Sequence, residues 1–352
     1  MSADNQRYPA SATAEFIASA FAKLGVPEAD ARSVAGFMVK ADLYGYDTHG
    51  SFRLRQYVDR LRDGGTNPKA TVRIAEERDA TAVVDGDNGL GHLPMRFATE
   101  LAIQKAKDHG IGWIGVRNGN HAGPASIYVN MPVEQDMIGI YAAVGSANHV
   151  PPFGGMDLLL GTNPIAIAVP AGKSAPFVLD MATTVAAAGK IKTLAQRGEM
   201  MPEGWMVGRD GKPLTDPKQR EDGFLLPIGG AKGYGLAMAI GLLAGTLNGA
   251  AFGKDVVDFT KDTRTPTNTG QFIGAISIDA FGDVETFKAT ADAVFAEMRG
   301  STPLPGHGPV RIPGDQRGAI YEDRNRDGIP LHPSLVKTLS DIAAELQVRK
   351  LG

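Results

Sequence analysis

The sequence predicts an α/β fold, a sheet buried on both faces and flanked by helices, behind a separate N-terminal helical region. Three observations carry this. Residues 10–65 show helical apolar spacing three times in succession. Continuous apolar runs, Ile111 to Val116 and Met137 to Val144, then alternate with helical segments, as strands do when both faces of their sheet are covered. The chain has 352 residues, 43% apolar and 21% charged, ample for a large buried core.

Taken in order, Ser11 or Thr13 can cap a first helix carrying Phe16, Ile17, Ala20, Phe21 and Leu24, closed by Gly25. Pro27 opens a second helix whose apolar face is Ala31, Val34, Ala35, Met38 and Leu43. Gly45 breaks it, and a third helix is expected to start at Asp47 or Thr48 and end at Gly64-Gly65. Thr71 to Ile74 and Thr81 to Val84 read as short strands, and Pro94 to about Asp108 as a helix. The apolar strands at 111–116 and 137–144 follow, then Ile165 to Val169 and Phe177 to Leu179, the last ending in Asp180. A helix is expected from Thr183 or Thr184, and residues 202–217 read as irregular. Gly229 to Ala251 reads as a buried helix rich in small residues, not a membrane span, since it carries Lys232, Tyr234 and Asn248. A strand over Phe272 to Ile278, a helix over Val284 to Met298, an irregular Pro/Gly/Arg-rich stretch over 301–332 and a helix from Ser334 to Val348 complete the chain.

Composition excludes several functions. The net charge is −3 and the Lys and Arg residues are scattered, so no basic tract argues for nucleic acid. With no cysteine there is no disulfide, thiolate metal site or Cys nucleophile. Met1 to Pro9 is polar and lacks the apolar core of a signal peptide, so a cytoplasmic enzyme is the expectation. The seven histidines are dispersed and no HExxH occurs, so no metal site is expected. No Gly-x-Ser-x-Gly elbow and no Gly-x-Gly-x-x-Gly after a strand is present.

Chemistry concentrates in a few places. A helix beginning at Asp47 or Thr48 puts His49, Arg53 and Tyr57 at i, i+4 and i+8, a polar stripe turned away from Leu54, Val58 and Leu61. An imidazole, a guanidinium fork and a phenol in a row can hold a small carboxylate and pass it a proton; the plainer alternative is a solvated helix face. His121 follows a buried strand in a Gly/Asn loop, where it serves either a site or the loop's own hydrogen bonds. Gly229-Gly230-Ala231-Lys232-Gly233 admits three readings: a phosphate cradle at a helix start, a Schiff-base lysine of the pyridoxal type, or close helix packing. Arg311 to Arg317 reads as a phosphate contact or a solvated basic turn.

Several stretches coincide with one family: ADLYGYDTHGSFRLRQYV, VRNGNHAGPASIY, GTNPIAIAVP, FVLDMATTVAAAGK, GGAKGYGLAMAI and RIPGDQR. In these the chain resembles the malate/L-lactate dehydrogenases, a family that includes sulfolactate, ureidoglycolate and diketogulonate oxidoreductases and the cyclic imine (piperideine-2-carboxylate) reductases. The resemblance implies a mixed-sheet α/β fold that binds NAD or NADP without a Rossmann fingerprint. It implies a homodimer with active sites near the subunit interface, acting on a small 2-oxo/2-hydroxy carboxylate or, alternatively, a cyclic imine. Residues 1–68 would form the helical substrate side and 69–300 the cofactor-binding and dimerisation core. Residues 301–352 would be a cofactor-contacting segment and a helix packing back on the N-terminal region.

By the same resemblance, His49 is the acid/base histidine, Arg53 and Tyr57 lie on the substrate side, and His121 stands at nicotinamide and substrate. Cofactor contacts fall at His121, Ala122, Gly123, Pro124 and Ala125; at Ala182, Thr183 and Thr184; at Lys232 and Gly233; and at Arg311, Pro313, Gly314 and Arg317. Thr48 replaces the family's serine but keeps a hydroxyl for His49. Ala231 stands where many relatives have histidine. Lys190 stands where the imine reductases carry a carboxylate, which favours hydroxy-acid chemistry. A non-catalytic metabolite-binding dimer is the remaining alternative.

Overall fold

In the computed structural model, residues 6–352 are described; the Met1–Asn5 part of the polar N-terminal stretch lies outside them. The N-terminal layer is built from α1 (Ala10–Lys23), α2 (Glu28–Leu43) and α3 (Leu54–Asp63). Their apolar faces, among them Ile17, Phe21, Val34, Met38, Leu54 and Val58, meet Leu339 and Ile342 of the C-terminal α10 (Pro333–Leu346) in one core. A short antiparallel pair, β1 (Gln6–Tyr8) with β11 (Ile329–Leu331), ties the two ends of the chain together.

The second layer is a seven-stranded mixed sheet. It comprises β2 (Arg73–Glu77), β3 (Thr81–Asp85), β4 (Ile111–Gly119), β5 (Met137–Ala143), β6 (Ile165–Val169), β7 (Phe177–Met181) and β10 (Thr269–Ser277), in the order β2-β3-β4-β10-β5-β6-β7. Only β3 and β4 run parallel; the other neighbours are antiparallel. One face is covered by α4 (His92–His109) and α5 (Ser126–Val133), which pack on Val84, Ile114, Val116 and Ile273. On the other, Phe272, Ala142 and Val144 meet Ile240 and Ala244. Both faces are therefore covered, as the unbroken apolar runs require.

Six expectations need correction. Pro9, not Ser11 or Thr13, precedes the first turn of α1; the Thr13 hydroxyl instead donates back to the Pro9 carbonyl at 3.0 Å. The third helix begins at Leu54 after a 3-10 turn, Ser51–Arg53, because Gly50 (φ −93°, ψ −129°) is not helical and Ser51 N–H bonds the Asp42 carboxylate. No helix starts at Thr183. Residues 182–187 form an irregular, non-helical stretch with a single bridge from Thr184 to Pro227, Thr183 Oγ1 donating to the Thr162 carbonyl and Val185 N–H to the Leu226 carbonyl, and α6 is Ala188–Arg197.

The stretch after residue 202 contains a small hairpin, β8 (Met206–Gly208) with β9 (Gly223–Leu225). Likewise, 301–332 contains α9 (Asp315–Asp327), a polar helix without the apolar periodicity that reveals the others. The Gly229 segment is not wholly buried either. It forms α7 (Ala231–Ile240) and tighter and wider turns up to Asn248, and leaves Leu236, Leu242, Leu243 and Leu247 exposed. Among the described residues no helix is long and apolar enough to cross a membrane. The amphipathic α8 (Val284–Arg299) lies as expected.

Arg60 of α3 locks the helical layer to the loop before β10. It is wholly buried, stacks 5.0 Å from the Phe259 ring centroid, and donates to the carbonyls of Asp262, Gly65 (2.8 Å) and Thr265 (2.7 Å). Arg60→Met strands three carbonyls at once, so urea denaturation should show a loss of about 3 kcal/mol or more.

Candidate active site

The sharp corner between α2 and α3 is what brings the substrate-side residues to the sheet. Within it the Thr48 hydroxyl and His49 Nδ1 are hydrogen-bonded at 2.9 Å, so the hydroxyl kept in place of serine does reach the imidazole. Arg53 folds back, donating from Nε to the Thr48 carbonyl (2.8 Å) and from Nη1 to Gln56 Oε1 (2.6 Å). The His49 ring stacks on His121, 5.7 Å between centroids at 21°. His121 follows the end of β4, so two chain segments 72 positions apart meet ring to ring.

Tyr57 differs from the expected polar stripe. It is 1% exposed and sits in the apolar core, edge-on to Phe21, His92 and Phe259. Only its hydroxyl emerges, donating to His121 Nδ1 at 2.6 Å. Burial pushes the phenol above its ordinary range, against the pull of Arg53, so it stays protonated and is the donor of this bond. The Gly123 N–H points at the same nitrogen at 3.4 Å. With two donors on Nδ1, the proton of neutral His121 is assigned to Nε2.

Neither histidine keeps an ordinary pKa. Burial, then the charges of Arg53 and Arg317, take His49 down to about 3. Burial, Arg53 and the neighbouring histidines hold His121 well below its usual value. Burial also lowers Arg53, which forms no ion pair with any described carboxylate. The result is a cation without an anion beside two neutral imidazoles. An arriving carboxylate answers the cation and, by adding negative charge, raises both histidines.

The stretches expected to touch cofactor come together around the edge strand β7. Ser126 N–H, at the start of α5, donates to Asp180 Oδ2 at 2.9 Å and draws the His121–Ala125 loop to the strand. Val178 N–H donates to the Pro313 carbonyl at 2.8 Å, which docks the Arg311–Arg317 segment. Ile228 N–H donates to the Thr183 carbonyl at 2.9 Å, which sets the start of α7 beside Ala182–Thr184. There Gly229 and Gly230 take φ of +59° and +64°, leaving a helix start with no side-chain cap and Lys232 exposed. Uncapped N–H groups and a lysine suit a phosphate.

Arg317 is committed elsewhere: it donates to the carbonyls of Tyr44 (3.2 Å) and Gly45 (2.7 Å) and lies 4.3 Å over the Tyr46 ring. Arg311 is exposed. Among the described residues no cluster of three or more His, Cys, Asp or Glu is placed to hold a metal.

Sequence reasoning missed Asp42, Asp180, His92 and Phe259. Asp42 did carry a signal, since it continues the Ala31, Val34, Ala35, Met38 face of α2 and a carboxylate there must be buried. Asp180 closes an apolar strand, a weaker sign. Phe259 lies in a loop with nothing to mark it, yet its ring lies 5.4 Å from His121.

The malate/L-lactate dehydrogenase family model matches residues 8–340. The L-sulfolactate dehydrogenase of Methanocaldococcus jannaschii is 42% identical over 328 residues, 92% of each chain. The malate dehydrogenase of Pyrococcus horikoshii is 38% identical over 98% of this chain and 97% of its own.

This chain belongs to the malate/L-lactate dehydrogenase family.

The solved sulfolactate dehydrogenase structure from M. jannaschii superposes with a TM-score of 0.91 at 40% identity, covering 98% of both chains. The fold is thus the family's mixed-sheet α/β fold, and the protein is an oxidoreductase acting on CH–OH donors, of a family that generally uses a nicotinamide cofactor.

Tyr57→Phe removes the donor to His121 Nδ1 while leaving the packed ring in place. It should fold with a near-unchanged melting temperature and lose about 10- to 100-fold in kcat, because His121 is free to rotate and to change tautomer. Retention of full kcat would show that this contact is not used.

Proposed function

We propose that this protein is a homodimeric, cytoplasmic NAD(P)-dependent oxidoreductase. It would move a hydride between nicotinamide and a small 2-oxo/2-hydroxy carboxylate of the malate, lactate or sulfolactate kind. The observation that carries the reading is Arg53: a partly buried guanidinium with no carboxylate partner, beside two stacked neutral histidines. Such a cation calls for an anionic ligand.

The nicotinamide, bound by the segments around β7, would supply the two-electron chemistry; Thr183, Thr184, Lys232, Gly233, Pro313 and Gly314 are the residues we assign to holding it, with His121, Ala122, Gly123, Pro124, Ala125, Ala182, Arg311 and Arg317 around them. Arg53 clamps the substrate carboxylate and fixes which face of the carbonyl is presented. Reduction puts charge on the carbonyl oxygen, which needs a proton. His121, whose Nε2 keeps a proton because Tyr57 serves Nδ1, is one candidate donor, and His49, steered by Thr48, is the second. Substrate charge raises both pKa values, so one of the two imidazoles would take up a second proton as the carboxylate binds, give it to the oxygen as imidazolium and be left as neutral imidazole.

In domain terms, we take residues 1–68 as the substrate side, 69–300 as the cofactor and dimerisation core, and 301–352 as the segment that closes on both. The exposed leucines of the α7 region, Leu236, Leu242, Leu243 and Leu247, are the surface that supports a dimer. Lys190 bears on the imine alternative. Its Nζ lies 4.7 Å over the Trp205 ring, and its neighbour Gly189 packs against Thr48. A cation there disfavours a protonated cyclic imine.

A panel of 2-oxo acids and cyclic imines, followed at about 340 nm with NADH and NADPH, tests the reading; turnover of imines alone would overturn it. Arg53→Lys keeps the charge but loses the fork, and its kcat/KM should fall about 10- to 100-fold, mainly through KM. An unchanged value removes the clamp. Between His49→Ala and His121→Ala, the variant that loses kcat across the whole pH range while still binding NADH identifies the proton donor.

A further inference from the structure

Behind the Thr48–His49 turn stands a carboxylate that takes no direct part in the site. Asp42, on the last turn of α2 and 2% exposed, accepts hydrogen bonds on Oδ2 from the Ser51 N–H (2.9 Å) and the Ser51 hydroxyl. Its Oδ1 lies against Gly50 so closely that a Cβ there would sit 2.0 Å away, so only glycine fits. The Asp42 carbonyl accepts from Arg324 Nη1 at 2.6 Å, and Arg324 also pairs with Asp47. The turn is thus pinned at both ends, Asp47 by Arg324 and Gly50-Ser51 by Asp42. Thr48 and His49 hang between the pins.

We propose that Asp42 is a positioning residue for His49: its ionised carboxylate holds Gly50-Ser51 in place and so aims the His49 imidazole. The inference rests on reading His49 as part of an oxidoreductase site. The clamp is matched to the charged form. The ionised Oδ2 accepts from both the Ser51 N–H and the Ser51 hydroxyl, whereas a proton on Oδ2 takes the place of the hydroxyl's and weakens the N–H bond, and a proton on Oδ1 faces Gly50, which offers no acceptor. Two charged groups act on the carboxylate in opposite directions, Asp47 from the turn raising its pKa and Arg324 from α9 lowering it. Burial dominates and raises Asp42 to about 7, the Ser51 bonds pulling it partly back. His49, at about 3, does not titrate there.

Stability and activity then respond oppositely to pH. Because the folded value lies above the unfolded one, the folded state holds this proton more tightly. Its contribution to stability is full below about pH 4 and is lost as pH rises through about 7. The clamp, by contrast, forms as pH rises through the same region.

The test measures kcat/KM, KM and melting temperature from about pH 5.5 to 8.5 on wild type, Asp42→Asn and Ser51→Ala, with the best substrate of the oxo-acid panel. Wild-type kcat/KM should fall about tenfold from about pH 8 to about pH 6. Ser51→Ala removes a donor to the carboxylate, so its acid limb should move to higher pH. Asp42→Asn should lose the acid limb and about tenfold or more in kcat at about pH 8, keep its NADH affinity, and flatten the fall of melting temperature with rising pH.

If Asp42→Asn retains the wild-type limb, or if kcat and melting temperature drop together by the same amount at every pH, Asp42 is structural only and the proposal is overturned. Amide exchange of the 47–53 peptide supplies a readout without turnover. Should wild type turn over no panel member, faster Ser51 exchange in Asp42→Asn would uphold the clamp and fail the functional reading instead. Unchanged exchange would overturn the clamp itself.

Discussion

Tyr57 reaches from the middle of the helical core to His121 at the mouth of the sheet, and that 2.6 Å contact joins the molecule's two layers at its chemistry. The phenol ring is held by Phe21, His92 and Phe259, so the position of the hydroxyl is set by apolar packing. Side chains in such cores sit in single rotamers because neighbours leave no other volume. A histidine bonded to that hydroxyl inherits the rigidity of the core. His49 then stacks on His121, and Arg53 closes the group by returning to the Thr48 carbonyl.

The surrounding electrostatics follow from the same burial. Two imidazoles, a guanidinium and a phenol are packed together without a carboxylate among their immediate partners, and each is driven toward its neutral form. On the proposed reading, such a group suits an anionic substrate, whose charge would answer that of Arg53. The carboxylates that do lie near, Asp42 and Asp180, face backward onto Ser51 and Ser126. They anchor the corner before α3 and the loop before α5, so negative charge is spent on holding the backbone while the pocket stays electropositive.

Edge strand β7 gathers the segments we assign to the cofactor, much as Tyr57 holds the histidines. The loop after β4, the segment before α9 and the start of α7 are far apart in sequence, yet backbone hydrogen bonds tie each to β7 or the residues just beyond it. On the proposed reading no glycine-rich strand–helix turn of the Rossmann kind would be needed, since several loops and the uncapped start of α7 offer N–H groups instead.

Local periodicity was enough to place the strands at 111–119, 137–143 and 165–169 and the amphipathic helices at both ends, since an element that buries one face must write that face into its sequence. Helical spacing and a strand-end loop marked His49, Arg53, Tyr57 and His121 as candidates, and the resemblance to known relatives gave them expected roles. Their arrangement was a tertiary matter. The i, i+4, i+8 stripe failed because Asp42, outside the turn, claims the Ser51 N–H and delays the helix until Leu54. Tyr57 proved to be a core residue because the volume it fills is bounded by three other segments. Polar α9 and the irregular 182–187 stretch were not legible for a related reason: their structure is imposed by partners distant in sequence, Tyr44 and Asp42 in one case, Thr162 and Leu226 in the other. What the chain alone determined was which faces must be buried and which residue types could do chemistry; what only the folded structure decided was their company, because burial and hydrogen-bond partners are properties of contacts the linear order does not contain.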